Sequence, residues 1–296
     1  MPADREPGTG KGYFFIIFVI ALNVNNMKKL RILIIPVMAF VTAWGQDTAC
    51  SLEYRHMAGV LGRDTLVADL VISNMKVSGT CVFPGLKYEE GDSRGMTVTQ
   101  RLEGMIDTYG VATLKAWEES IEKGEYSGFM GNTFAGSFRP QHGTAVRPFS
   151  MEEEYSGSIP LKGYCLEGDS ALVDTAGSPS AHIRLALLLP EDGPGMEGIR
   201  DDILKAFFGQ TVRGNIPDDS LLDVFSNEYF NKYIEANIDI YEGGHSFSWD
   251  MIAESDVLMN RSGILVYRAD NYAFTGGAHG LGVSRFLVFD TGKMQK

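Results

Sequence analysis

The sequence predicts an α+β fold: an antiparallel β-meander N-terminal region, followed by a mainly antiparallel sheet with two helices. Three observations predict it. From Val71 to about Pro190, short runs rich in Val, Thr, Tyr and Phe recur, cut by glycine about every ten residues. Two segments with helical apolar spacing come next, and strand-like runs resume after them. No strand–helix–strand alternation occurs, so the helices are placed between blocks of antiparallel strands.

The first element is a leader. Apolar blocks span Tyr13 to Leu22 and Leu30 to Trp44, each shorter than the ~20 residues of a membrane-spanning helix. The second follows Met27-Lys28-Lys29 and Arg31 and ends in Ala43-Trp44-Gly45, the basic, apolar, small-residue order of a secretory signal. Residues 1–26 therefore read as a mis-called leader ahead of a start at Met27, and 27–45 as a signal peptide. The expected mature chain begins near Gln46, is exported to the periplasm or cell envelope, and keeps no stable membrane span. The alternative is a retained membrane hairpin turning at Asn23, Asn25 and Asn26.

Residues 46–180 read as the meander. Met75 to Phe83 and Met96 to Glu103 alternate apolar and polar side chains, as half-buried strands require. Val111 to Ser120 fits either a strand or a helix, and is taken as a strand because its neighbours are strands. Lys123 to Phe138 forms a hairpin turning at Gly131-Asn132, with Tyr126, Phe129, Phe134 and Phe138 as apolar cover. Phe149 to Tyr164 continues the meander, and Ile159-Pro160 confines that piece to an edge or its end.

Residues 181–296 read as the α+β domain, starting with the strand His182 to Leu189. Met196 to Phe208 puts Ile199, Ile203 and Phe207 on one helical face, with Gly209 as the stop. A second helix runs from Pro217 to about Ala236, its stripe built from Leu221, Leu222, Phe225, Tyr229 and Tyr233. Ser246 to Ala253, Gly263 to Ala269, Tyr272 to Thr275 and Val283 to Asp290 read as strands.

The whole chain carries a formal charge of −12, and dropping residues 1–45, which hold five basic and two acidic groups, makes it −15. Such a surface repels a phosphate backbone and attracts cations, so nucleic acid is excluded as a partner and a cationic protein is favoured. Export makes the three cysteines disulfide candidates. Cys81 and Cys165 are the candidate pair, with Cys50 left over; two separate buried thiols are the alternative.

Metal and redox templates are missing: the sequence has no H-E-x-x-H or C-x-x-C, and Gly8-Thr-Gly-Lys11-Gly12 lacks the spacing of a phosphate loop. Glu152-Glu153-Glu154 reads as a solvated run, and Asp201-Asp202 and Asp218-Asp219 as dipole-friendly first-turn acids. His245 with Glu242 and His279 has no recognised zinc spacing. We assign no catalytic residue, no metal and no cofactor. The remaining candidate is Tyr272-Ala-Phe-Thr275-Gly276-Gly277-Ala-His279-Gly280. Its bare glycine amides allow close ligand approach, which makes Tyr272, Thr275, Gly276, Gly277, His279 and Gly280 the candidate binding residues; a purely structural turn is the competing reading.

That turn, with Phe286-Leu-Val-Phe-Asp290-Thr-Gly292-Lys293 after it, resembles the RsiV/PdaC-type C-terminal domain of unknown function. This domain lies at the C-terminus of an anti-sigma factor and beside the catalytic domain of a deacetylase. The resemblance covers roughly residues 180–296. It implies an exported cell-envelope binding module without catalytic activity, recognising lysozyme or a cell-wall glycan. The alternative it implies is a peptidoglycan-modifying enzyme or an accessory domain of a deacetylase. In that family the strand leads on to a further helix-containing half, whereas this chain ends at Lys296. Truncation, with an apolar sheet edge left exposed, is the resulting expectation.

Overall fold

A computed structural model describes residues 50–86, 96–212, 216–242 and 247–292. The leader and signal peptide expected over residues 1–45 lie outside these, as does His245. Eight strands come first: β1 (Leu52–Leu61), β2 (Asp64–Ser73), β3 (Lys76–Leu86), β4 (Met96–Ile106), β5 (Val111–Glu118), β6 (Ile121–Met130), β7 (Thr133–Pro140) and β8 (Arg147–Glu153). Then come β9 (Leu161–Ala171), β10 (Ser180–Pro190), α1 (Met196–Phe208), α2 (Asp218–Glu242), β11 (Trp249–Arg261), β12 (Ile264–Phe274) and β13 (Leu281–Asp290).

The α+β expectation is overturned. The protein is mostly β: a closed eight-stranded antiparallel barrel, a second sheet, and two helices among the described residues. The meander is real, but its ends meet, because β1 pairs with β8 from Met57↔Glu153 to Leu61↔Phe149 as well as with β2. Closure removes both edges that an open meander would expose. The ambiguous segment Val111–Glu118 is indeed a strand, and β6 and β7 turn at Gly131-Asn132.

Glycine explains why closure was not foreseen. The glycines read as punctuation between strands largely sit within them. Gly128 and Gly136 face each other across β6 and β7, and a Cβ on either would come within 2.1 Å of a carbonyl oxygen on the opposite strand. Gly59, Gly79 and Gly104 are equally crowded. Bare backbone at these points lets neighbouring strands press together and coil, as a small barrel requires. The interior is filled: Met57, Leu66, Leu70, Leu114, Tyr126, Phe134 and Met151 are buried in one apolar cluster.

The second sheet runs β13-β12-β11-β10-β9. Its β10–β11 pair is parallel and the others are antiparallel. The crossover from β10 to β11 carries both helices, which lay Ile199, Ile203, Phe207, Leu221 and Tyr233 on one sheet face. Gly209 ends α1 in the left-handed region at φ 70°. Expected breaks within β11 and β12 are absent, because their polar residues are paired. Asn271 donates to the Phe207 carbonyl at 2.6 Å and accepts from Arg285 at 2.6 Å, so the chain passes through it without turning.

A buried polar network joins barrel and sheet. Asp69 of β2 accepts from Tyr54 at 2.7 Å and from the Asn260 backbone N–H at 3.1 Å, and its carboxylate lies 2.7 Å from His56 Nδ1. Asn260 of β11 donates to Tyr54 and to the Ile159 carbonyl. Each of these groups would be costly to bury alone, and together they satisfy one another. A disulfide reinforces the junction, but it links Cys50 to Cys165, with Cα atoms 5.8 Å apart. The expected Cys81–Cys165 pair is thus incorrect. Cys81 is a free thiol inside the barrel, where burial pushes it up to about 12.

Candidate functional site

Residues Thr275–Gly280 form the loop of the β12–β13 hairpin. Gly276 and Gly277 take φ values of 98° and 99°, a region that a side chain strains. Two of the expected site residues are packing partners: a Cβ on Gly280 would lie 2.5 Å from the Tyr272 ring. Gly276 meets the face of Phe247 in the same way, at 3.2 Å. Thr275, Gly277 and His279 are exposed. The turn therefore brings Tyr272 onto Gly280 and leaves Thr275 and His279 facing solvent.

A larger feature lies near the middle of β12, where the sheet's outer face meets the barrel. A cleft of about 730 Å³ opens between Thr80, Arg101, Glu103 and Trp117 of the barrel and Asp256, Leu258 and Arg268 of the sheet. Thr80 Oγ1 donates to the Leu258 carbonyl at 3.4 Å and ties the two walls. Strand alternation places Asp256 and Arg268 in register on the same face, opposite the face packed by the helices.

The chemistry of this cleft is unusually open. Arg268 Nη2 donates to Asp256 at 3.0 Å. Its Nε is 2.9 Å from Asp270 Oδ2, yet it is buried and makes no aligned hydrogen bond, so that contact is an ion pair only. Trp117 is partly buried, and its indole Nε1–H is buried without a partner. An unpartnered buried donor is a cost that a bound acceptor relieves. Burial raises the Asp256 carboxyl above its ordinary range, with Asp270 pushing the same way and Arg268 and the Val257 N–H opposing. Trp117, whose indole donor lacks a hydrogen bond, and the Arg268–Asp256 pair thus line one cavity.

The outer face continues from this cleft to the turn. Arg268, Asp270 and Tyr272 alternate onto it along β12, a span of about 13 Å at strand rise. Phe286 of β13 stands opposite Arg268 and is exposed. Sequence reading found the Tyr272 end of this track and missed the cleft. Trp117, Asp256 and Arg268 are far apart in sequence and carry no local motif; the available signal was three polar residues, Glu254, Asp256 and Asp270, within strand-like surroundings.

Another cavity, of about 870 Å³, lies beside the starts of α1 and α2, among Asp192, Asp201, Asp202, Asp218 and Asp219. Its part-buried Arg200 is taken up by Asp218 at 2.5 Å and by the Pro190 carbonyl, and so pins the two helices. Among the described residues no group of three or more His, Cys, Asp or Glu is arranged to hold a metal ion, and no helix is long and apolar enough to cross a membrane.

A side-chain-filled barrel joined to a helix-backed sheet, with a polar cleft between them, defines a two-part, mostly β protein. Its solved structural neighbours are proteins of the DUF3298 family, a domain of unknown function. One, from Bacteroides fragilis, is 19% identical, with a TM-score of 0.42 over 48% of this chain and 59% of that one. Another, from Pseudomonas aeruginosa, is 19% identical, with a TM-score of 0.31 over 47% of this chain and 56% of that one. The match thus spans less than two thirds of either neighbour's length. No protein-family model and no curated protein matches the chain.

Proposed function

We propose that the protein is an exported cell-envelope binding module and that its ligand is a cell-wall glycan held in the cleft between barrel and sheet. The observation that carries this reading is the set of groups lining that cleft. An indole ring suits the apolar face of a sugar, while Trp117 Nε1, Arg268 and Asp256 supply donors and an acceptor for hydroxyl and amide groups. The track from Arg268 through Asp270 to Tyr272 fits a ligand that is a polymer, and brings the Thr275–Gly280 turn to its far end. The direct test is titration with an oligosaccharide of N-acetylglucosamine: saturable binding is expected, and Trp117→Ala is expected to weaken it at least tenfold. Export is supported by the basic and apolar pattern of residues 27–45; mass spectrometry of the secreted protein is expected to find a new terminus near Gln46, and an uncleaved chain would refute it.

A cationic protein such as lysozyme is the second reading. It is favoured by the acidic surface around Asp192, Asp201, Asp202 and Asp219 and by the net charge of the chain. Binding of that kind falls steeply with salt and is unaffected by Trp117→Ala, whereas glycan binding responds to the substitution and not to salt.

A further inference from the structure

Among the described residues, the barrel is closed along its strands and holds a cavity at one end. There, Leu61, Phe83, Val98 and Phe138 wall a cavity of about 240 Å³, with Gln100 and Tyr126 lining it more deeply and Lys123 and Arg147 at the rim. This site is separate from the cleft, which uses the outside of β3–β5, and it is smaller than the roughly 300–1,000 Å³ typical of ligand pockets. The rim charges balance: Arg147 pairs with Asp64 at 3.0 Å and Lys123 with Glu118 at 2.8 Å. A fully charged guest therefore gains little there. Arg147 also sits 5.6 Å over the Phe138 ring, which keeps the wall aromatic and the guanidinium at the edge.

Deeper in, the polar groups are weakly matched. Tyr126 is 1% exposed, and among the described residues its hydroxyl contacts the Cys81 thiol at 3.8 Å. That thiol in turn reaches Gln100 Oε1 at 3.8 Å. Sulfur makes a poor partner, so the phenol is an under-used donor in an apolar setting. Burial raises its pKa first, and the neighbouring thiol adds to the effect, so the hydroxyl keeps its proton.

We infer that the barrel mouth is a second ligand site, for a small uncharged molecule with an apolar body and a carbonyl oxygen that accepts from Tyr126 Oη–H. The apolar body lies against Phe83, Val98 and Phe138, and the carbonyl replaces the weak sulfur contact.

Acetophenone, followed by protein NMR, is the probe. The expected result is saturable shifts confined to residues of this end of the barrel, such as Leu61, Val98 and Gln100. Tyr126→Phe keeps the ring packing, removes the donor, and is expected to weaken acetophenone at least fivefold. Ethylbenzene, which has no carbonyl, is expected to bind both proteins equally. Val98→Phe fills the space from the wall and is expected to abolish both ligands, which keeps the test open if Tyr126→Phe does not fold. Absence of saturable shifts, shifts mapped elsewhere, or equal acetophenone affinity in a folded Tyr126→Phe protein would each overturn the assignment. Trp117→Ala leaves this site intact, so its failure is distinct from failure of the glycan reading.

Discussion

Cysteine chemistry shows at the scale of single residues what sequence makes visible. Val77, Cys81 and Phe83 share one parity along β3, and all three are buried within the barrel. The alternation alone puts Cys81 on the inward face, out of reach of a partner outside the barrel. The partner of Cys165 is Cys50, at the entry to β1, because β1 lies against β9: a Cβ on Gly163 would strike the Leu52 carbonyl oxygen at 2.1 Å. No spacing rule reports such a proximity. Thiol counting checks it. The native protein is expected to give no reaction with a bulky thiol reagent, one thiol when unfolded, and three after reduction. Two reactive thiols in the native state would contradict the pairing.

Asp256 gives a second prediction at this scale. Its folded pKa lies above the unfolded value, so between the two the native state holds more protons. Stability contributed by this group is therefore present at acid pH and is lost as pH rises from the ordinary carboxylate range through the raised value. Denaturant midpoints across a pH series test this: Asp256→Asn is expected to flatten that decline. An unchanged slope in the variant would show that other groups set it.

Elements were legible where their signal is local. The period of α1, the stop at Gly209 and the β6–β7 turn all follow from a few adjacent residues, and all stand as read. Strand lengths were not, because polar residues such as Asn271 and Asn260 mimic turn signals until their buried partners are known. β13 is the element most at risk. It is the outermost strand of its sheet, with Leu281, Phe286 and Val288 exposed at 71%, 61% and 69%. β9, at the other side, is approached by β1, so β13 offers the unpaired backbone among the described residues. Concentration-dependent association is expected, measured by light scattering, and Val288→Lys is expected to suppress it without lowering the melting temperature by more than a degree or two. Association that is identical in the variant would place the sticky surface elsewhere.

For the whole molecule, the larger errors concern contacts between distant residues. Barrel closure depends on β1 meeting β8, some ninety residues on, and nothing in either strand announces the other. The junction with the sheet has the same character: Tyr54, His56 and Asp69 come from the first two strands, and Asn260 from the eleventh. The cleft is a product of that junction, which is why Trp117 and Arg268 carry no mark of their role in the sequence. The turn that did stand out marks one end of the same outer face.

A calorimetric titration of the protein with an N-acetylglucosamine oligosaccharide, beside Trp117→Ala, at low and physiological salt tests the central claim most directly. The account predicts a saturable heat with little salt dependence, weakened at least tenfold in the variant. A folded protein that gives no heat with the glycan, or one that binds equally well without the indole, would contradict the cleft as the ligand site.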